Sequence, residues 1–175
     1  LSAIASGMIA LTGIVFALAF VMVQFSAIAY SPRLVAWFGR DPVLLLHSQE
    51  RGQALVEELG RAAQLGVARG LPAHCIPLAL WHTASTGLEL WLSALASGAA
   101  RVLLVATEED APQYLEALEE QAAVVEAICT GLGYPPGAVQ LLRCRTHADL
   151  EAGLRAALHP PRPALGLVAR FGAAS

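Results

Sequence analysis

The sequence predicts an α/β protein, with a small doubly wound, flavodoxin-like parallel sheet of four or five strands preceded by one N-terminal transmembrane helix. After residue 42, short apolar runs alternate with helical patterns, which is typical of strands that are buried on both faces of a parallel sheet. Residues 1–32 contain no Asp, Glu, Lys, Arg or His. Hydrophobic residues make up 56% of the 175 residues and charged residues only 14%, which excludes an intrinsically disordered protein.

Residues 1–32 are the predicted transmembrane helix, and residues 33–42 are a juxtamembrane linker. The uncharged run exceeds the about 20 residues that a helix needs to cross a hydrocarbon core of roughly 30 Å. Tyr30 and Trp37 fit an interfacial aromatic belt, and Arg33 and Arg40 favour a cytoplasmic position for the remainder of the chain. We therefore expect an inner-membrane protein whose α/β domain is cytoplasmic and whose partners include membrane lipid.

Three other interpretations of this segment stay open. The first is a buried core helix, and the second is a cleaved signal peptide with Ala27 and Ala29 at its cleavage site. A signal peptide would also need a basic region before the apolar stretch. The third is that the chain is a fragment, since it begins at Leu1.

Residues 43–175 form the predicted α/β domain, with right-handed crossovers between its parallel strands. Strands are predicted over residues 43–47, 74–78, 101–106 and 139–144, with a further edge strand over residues 164–169. Helices are predicted over residues 50–65, 85–97, 111–132 and from Thr146 onward. Thr86 with Glu89 resembles a capping box, and Thr146 with Asp149 starts the last helix.

Several side chains receive an expected place in this arrangement. Trp81 and Trp91 are expected in the core. Glu108, Glu109 and Asp110 are expected in the first turn of the third helix, where its dipole favours acids. The residues expected on the core face of that helix are Leu115, Leu118, Val125, Ile128 and Leu132. The residues expected on its solvent-exposed face are Glu116, Glu119, Glu120 and Glu126.

A ligand site is expected beyond the carboxyl ends of the strands, near a switch in strand order. The ligand-binding candidates are His82, Ser85, Thr86, Gly87 and Thr107, and no catalytic residue is assigned. Free amides at Thr86 and Gly87 would suit an anion or a nucleotide phosphate, although Ser85 and Thr86 also fit plain helix caps. His82 fits either a general base, with Glu108 in a small enzyme, or an ordinary loop or core histidine.

The cysteines and the charge balance exclude several classes of site. Cys75, Cys129 and Cys144 lack the close spacing of zinc or four-iron cluster ligands. We expect them to be buried reduced thiols, and we expect no metal ligand in this chain. The net charge is −3 and no basic stripe is present, so nucleic acid is not an expected partner.

The first 47 residues resemble a bacterial predicted membrane protein family of unknown function. The resemblance is carried by the run SGMI at residues 6–9, the run GIVFAL at residues 13–18 and the run YSPRL at residues 30–34. It implies several transmembrane helices near the N-terminus of such proteins, of which one is present here.

Residues 43–170 resemble the α/β portion of large bacterial ferredoxin-type iron–sulfur proteins. The resemblance is carried by GLPA at residues 70–73, WHTAS at 81–85, ASGA at 96–99, EDAPQY at 109–114 and GLGY at 131–134. It implies a role in electron transfer, a redox protein partner, and 4Fe-4S clusters bound outside these residues. The two resemblances meet at residues 41–48, so the chain is either a natural fusion or a composite.

These resemblances imply two alternative functions. The first is a membrane-tethered accessory α/β module of a ferredoxin-type iron–sulfur electron-transfer protein, with no cluster ligand of its own. The second is a fragment of an uncharacterised integral membrane protein without enzymatic activity.

Overall fold

A computed structural model of the protein describes residues 41–134 and 136–159. Within these ranges the elements are β1 (Val43–Ser48), α1 (Arg51–Gln64), β2 (Cys75–Leu80), a 3-10 turn (Thr83–Ser85), α2 (Leu88–Ala96), β3 (Arg101–Ala106), α3 (Pro112–Gly131), β4 (Val139–Arg143) and α4 (His147–Leu158). The predicted transmembrane helix, the linker up to residue 40 and the predicted edge strand at residues 164–169 lie outside the described residues. None of the helices just named is long and apolar enough to cross a membrane.

The four strands form one parallel sheet in the order β2-β1-β3-β4. This is the order of the first four strands of a flavodoxin-like sheet, so the predicted doubly wound α/β architecture is confirmed for the described residues. Leu44 of β1 pairs with Ile76 of β2 and with Val102 of β3, which places three apolar side chains side by side.

Side chains of β1 alternate between two hydrophobic cores. Val43 and Leu45 pack in the core that α1 and α4 cover, whereas Leu44 and Leu46 pack in the core that α2 and α3 cover. Trp91 is fully buried in the second core, as predicted. Because β1 is buried on both faces, its residues 43–46 are all apolar, rather than apolar and polar in alternation.

The handedness of the crossovers explains which face each helix covers. The connection through α1 runs from β1 to β2 in one direction across the sheet, and the connections through α2 and α3 run in the other direction. Right-handed crossovers in opposite directions lie on opposite faces. α4 follows β4 and packs beside α1. A right-handed crossover from β4 to a further parallel strand outside it would instead run over the face that α2 and α3 cover.

Pro77 lies on the outer edge of β2. The carbonyls of His74 and Leu80 accept hydrogen bonds from the amides of Val43 and Gln49. The backbone N–H and C=O groups of the even-numbered residues of β2 therefore point toward β1, and those of the odd-numbered residues point away from it. Pro77 therefore faces away from the described sheet, where its missing N–H costs no ladder hydrogen bond and discourages pairing with a further strand.

One predicted cap is confirmed and the other is wrong. The hydroxyl of Thr146 accepts a hydrogen bond from the amide of Asp149 at 3.2 Å, and the Asp149 carboxylate accepts one from the Thr146 amide at 2.9 Å. α2 instead follows Gly87, which has no side chain that could cap the helix. Thr86 is buried one residue earlier, where its hydroxyl donates to the Thr83 carbonyl and accepts from the Trp91 indole.

The buried face of α3 is narrower than predicted. Leu118, Val125 and Cys129 are its buried residues, whereas Ile128 and Leu132 are exposed. Glu126, which is expected on the solvent-exposed face, is half-buried. Its carboxylate accepts hydrogen bonds from the amides of Gly137 and Ala138 at 2.9 and 3.2 Å, which fixes the loop that leads into β4.

Candidate functional site

The loops that follow β1, β2 and β3 meet at the carboxyl edge of the sheet. β1 and β3 are neighbours, but the chain leaves them toward opposite sides of the sheet. In doubly wound folds this switch point opens a crevice in which ligands bind. The candidate site is therefore built from the start of α1 and from the loops at residues 81–87 and 107–111.

Arg51, the first residue of α1, bridges the switch point through four hydrogen bonds. Its Nε donates to Glu108 Oε1 at 3.1 Å, and its Nη1 donates to Glu58 Oε1 at 3.1 Å. Its Nη2 donates to the carbonyl oxygen of Arg145 at 2.6 Å, and its backbone amide donates to Glu109 Oε2 at 3.2 Å. We call Arg51, Glu58, Glu108 and Glu109 the Arg51 cluster, which links α1 to the loops after β3 and β4.

The Arg51 cluster corrects the expected place of the acidic residues. α3 begins at Pro112 and has no acid in its first turn. Glu108 and Glu109 instead reach the amino end of α1, and Asp110 turns inward to Thr107. The helix dipole still explains why acids gather here, but the helix is α1 rather than α3. Sequence spacing gave no signal for this cluster, because Arg51 and Glu108 stand 57 positions apart.

Hydrogen bonding favours the ionised forms of Arg51 and Glu108. The backbone amide of Glu108 and, after it, the guanidinium of Arg51 lower the pKa of the Glu108 carboxyl. The carboxylates of Glu58 and then Glu108 raise the pKa of Arg51. Both shifts favour the charged forms, so these groups attract each other throughout the neutral range.

His82 and Thr107 come together through Asp110. Nδ1 of His82 accepts a hydrogen bond from the amide of Ala84 at 3.1 Å, so the ring proton lies on Nε2. Nε2 lies 3.6 Å from Oδ1 of the buried Asp110 carboxylate, whose Oδ2 accepts from the Thr107 amide at 2.7 Å. Sequence reasoning missed Asp110 as the partner of His82, because the two residues lie in different loops. His82 and Glu108 have different partners, Asp110 and Arg51 respectively.

Ser85, Thr86 and Gly87 lead into α2 with their polar groups engaged. The hydroxyl of Ser85 donates to the carbonyl of His82 at 2.6 Å. The amide of Leu88, just after Gly87, donates to Oε1 of Gln121 at 3.3 Å. An anion at this helix start would have to displace the Gln121 amide oxygen, and the ligand role of these residues stays a prediction.

Trp81 does not lie in the core, contrary to expectation. It is 81% exposed because β2 ends at Leu80 and the chain turns outward before the 3-10 turn. The ring of Tyr114, which is also exposed, meets the ring of His82 edge-on at 5.6 Å between centroids. We call Trp81, His82 and Tyr114 the aromatic edge.

Cys75, Cys129 and Cys144 are buried reduced thiols, as predicted. Burial raises the pKa of the Cys75 thiol to about 12. Burial, with a smaller contribution from the Asp149 carboxylate, raises the pKa of Cys144 to about 11. Within residues 41–134 and 136–159, no three His, Cys, Asp or Glu side chains are grouped to hold a metal ion.

Comparison with known protein families gives a match at the start of the chain. A family described as "Predicted membrane protein (DUF2254)" matches residues 1–46, in agreement with the resemblance of the first 47 residues to a predicted membrane protein family. The match ends inside β1 and leaves the other described elements outside it. No curated protein matches the chain, and the resemblance to ferredoxin-type proteins gains no support from these comparisons.

Proposed function

We propose that the α/β body is an accessory docking module of a ferredoxin-type iron–sulfur electron-transfer protein, tethered to the inner membrane with the body on the cytoplasmic side. The module supplies no cluster ligand, and the 4Fe-4S clusters are held elsewhere. The observation that carries this proposal is the Arg51 cluster. Because hydrogen-bonded side chains bridge the switch point between β1 and β3, we expect the body to meet its partner with a surface rather than with a deep cleft.

The aromatic edge is the part of that surface best suited to a protein partner. Trp81 projects from the end of β2, and Tyr114 and His82 support each other beside it. Trp and Tyr dominate the energetic centres of protein interfaces, because they bury a large area and retain a polar atom for hydrogen bonding. The redox partner therefore docks over the carboxyl edge of the sheet.

The docking role is tested with the full chain in lipid nanodiscs and a purified bacterial ferredoxin that carries two 4Fe-4S clusters. We expect saturable binding by calorimetry, and we expect Trp81→Ala to weaken it by about tenfold or more. Leu65→Ala is the matched control, because Leu65 is 79% exposed and lies after the last turn of α1, away from the aromatic edge. Absence of saturable binding, or an equal loss in both variants, refutes the docking role.

A small-ligand site at His82, Ser85, Thr86, Gly87 and Thr107 is tested separately by titrating the full chain with FMN and with ADP. Saturable binding that His82→Ala abolishes supports a nucleotide or anion site there. Without such binding, the docking surface is the only role of this edge.

The tether is tested by fractionating cells that express the full chain. We expect the protein in membranes washed with alkaline carbonate, and we expect protease to reach the body in inverted inner-membrane vesicles but not in intact spheroplasts. Recovery in the carbonate supernatant, or cleavage in spheroplasts, contradicts the proposed tether or its orientation.

The second candidate is a fragment of an uncharacterised integral membrane protein without enzymatic activity. The match of residues 1–46 to a predicted membrane protein family favours it. Carbonate-resistant membrane association without any ferredoxin binding would support this candidate over the first.

A further inference from the structure

A cavity of about 430 Å³ lies at the amino edge of the sheet, opposite the Arg51 cluster. Val43, His74 and Arg101 line it from the amino ends of β1, β2 and β3. The last turns of α4 and the loop around Gly70 complete the walls. The volume falls within the range of small-molecule sites.

Arginine side chains give the cavity its chemistry. Arg69, Arg101 and Arg155 line it, against the two carboxylates of Asp41 and Glu151. Glu151 is already engaged, because its Oε1 accepts from the Arg69 backbone amide at 2.7 Å and lies 3.8 Å from Arg155 Nη2. The carbonyl end of α4 adds negative potential, which Arg155 in its last turn offsets. Arginine binds phosphate oxygens with two parallel N–H groups, which favours a phosphate ligand.

Apart from His74 and His159, the remaining walls are apolar. Pro72, Ala100, Leu154 and Leu158 line the cavity beside the arginines. A free inorganic anion would leave this apolar surface uncovered, whereas a phosphate attached to a glycerol and acyl stem would cover it. The lining therefore suits an amphiphile with an anionic phosphate head.

The position of the cavity indicates where such an amphiphile would come from. Asp41 lines the cavity and directly follows residues 1–40, which lie within the match to a predicted membrane protein family. A body tethered through residue 40 presents its amino edge to the membrane surface, since β1 starts at Val43. Basic pockets at the cytoplasmic side of membranes bind anionic lipid headgroups.

We propose that this cavity binds the phosphate headgroup of an anionic glycerophospholipid of the membrane to which the chain is tethered. The inference rests on the proposed tether. Arg69 and Arg155 hold the phosphate from the loop and from α4, and Leu154 and Leu158 contact the glycerol and the first acyl carbons. Bound lipid would orient the body relative to the membrane, with the aromatic edge turned toward the cytoplasm.

Lipid retention by the full chain tests the proposal. The chain is purified from membranes into mild detergent, offered an equal mixture of phosphatidylglycerol and phosphatidylcholine, and examined by native mass spectrometry. We expect one phosphatidylglycerol to be retained in preference to phosphatidylcholine, and we expect the double variant Arg69→Gln, Arg155→Gln to lower that retention about tenfold. Both guanidiniums lie at the surface, so this variant keeps the two cores intact.

Arg61→Gln is the matched control. Arg61 is 63% exposed and lies 3.9 Å from Glu57 one helical turn away, whereas Arg155 is 59% exposed and lies 3.8 Å from Glu151 one turn away. Like the Arg155→Gln half of the double variant, the control removes one positive charge and one ion pair of the same kind, but outside the cavity. Equal retention of both lipids, or an equal effect of Arg61→Gln, overturns the proposal.

Two further arms separate the possible failures. Competition by glycerol 3-phosphate at concentrations equal to those of the lipid would assign the cavity to a soluble phosphate compound and overturn the lipid source. Carbonate extraction reports on the tether alone, so membrane retention without lipid selectivity refutes the cavity proposal and leaves the tether in place. Loss of the chain from washed membranes refutes the tether itself.

Discussion

Single residues decide how closely the layers of this protein approach each other. Gly52 is the clearest case, because a Cβ atom there would lie 2.9 Å from Cβ of His47 and 3.0 Å from the hydroxyl oxygen of Ser48. The amide of Gly52 also donates to that hydroxyl at 2.9 Å. The start of α1 is therefore held against the end of β1 at a distance that only glycine allows.

Gly52→Ala is expected to lower the free energy of unfolding by about 1–3 kcal/mol, because β1 or α1 must shift to admit the methyl group. Gly60→Ala in the same helix is the control, since a Cβ there meets nothing within 4 Å. It should raise the free energy of unfolding by about 0.5–1 kcal/mol through helix propensity alone. Chemical denaturation of both variants measures the two effects, and equal signs would contradict this account of Gly52.

His47 makes stability depend on pH. Burial lowers its pKa from the ordinary value of 6.5, against a smaller opposing effect of its hydrogen bond to the Ser48 carbonyl. The unfolded chain therefore takes up a proton below pH 6.5 that the folded chain does not take up. Stability supplied by the neutral ring is present above that pH and is lost as the pH falls below it.

Denaturation curves at several pH values between 7 and 5 should show this loss, at no more than about 1.4 kcal/mol per pH unit for one group. His47→Gln should flatten the dependence, whereas His159→Gln, at an exposed position, should leave it unchanged. An unchanged slope in His47→Gln would assign the acid sensitivity to other groups.

Among the elements, α4 has the best-defined start. Thr146 and Asp149 exchange two hydrogen bonds around its first turn. Thr146→Ala is expected to lower the free energy of unfolding by about 1 kcal/mol, because one amide of the first turn loses its acceptor. Thr130→Ala, at an exposed position within α3, should raise it slightly through helix propensity. Thermal melting of the pair measures the contrast, and a loss in both variants would contradict the capping role.

α3 and β4 are joined by Glu126. Its carboxylate accepts from two consecutive loop amides, so Glu126→Ala should lower the free energy of unfolding by about 1 kcal/mol or more. Glu120→Ala on the exposed face of α3 should have little effect. If denaturation midpoints fall equally in both variants, helix charge rather than the loop contact is responsible.

The elements could be predicted from the sequence where a local pattern determines them. The strand over residues 101–106 was placed correctly, because an apolar run between turn residues has few alternatives. The capping box of Thr146 and Asp149 could also be predicted, because both of its hydrogen bonds join residues only three positions apart. The cap proposed at Thr86 was wrong because α2 starts only after Gly87, and the Thr86 hydroxyl instead accepts from the Trp91 indole five residues on.

The candidate site was less predictable than the fold. His82 and Thr107 were assigned to the carboxyl edge because strand ends are visible in the sequence, and both lie there. Arg51 and Asp110 were missed as organising residues, because their partners come from other loops. Trp81 was misplaced because apolar character alone does not reveal that a residue follows the last position of an edge strand.

The whole described body should unfold as one unit, because both cores share the same sheet. Cys75 and Cys144 lie in the core beside α1 and α4, and Cys129 lies in the core beside α2 and α3. Iodoacetamide at pH 8 should modify all three slowly and at similar rates, since the protein must open before any thiol is reached. In the folded state, pKa values of about 12 for Cys75 and about 11 for Cys144 keep these two thiols protonated at pH 8, so the opened chain is the form that reacts.

Site-resolved mass spectrometry of the alkylated chain measures these rates, with the chain in urea as the control in which all three thiols react quickly. Much faster modification of Cys129 than of the other two would show that the α2–α3 layer opens on its own.

The return of α4 to the side of α1 has a consequence for how such a body is joined to other segments. Asp41 and His159, the first and last described residues, both line the same cavity, so the chain enters and leaves the body at neighbouring points. A domain whose ends lie close together can be inserted into a host protein or joined to an unrelated leader without rearranging its layers. A single recombination event is therefore enough to join this sheet to the segment that matches a predicted membrane protein family, with no adjustment of either core.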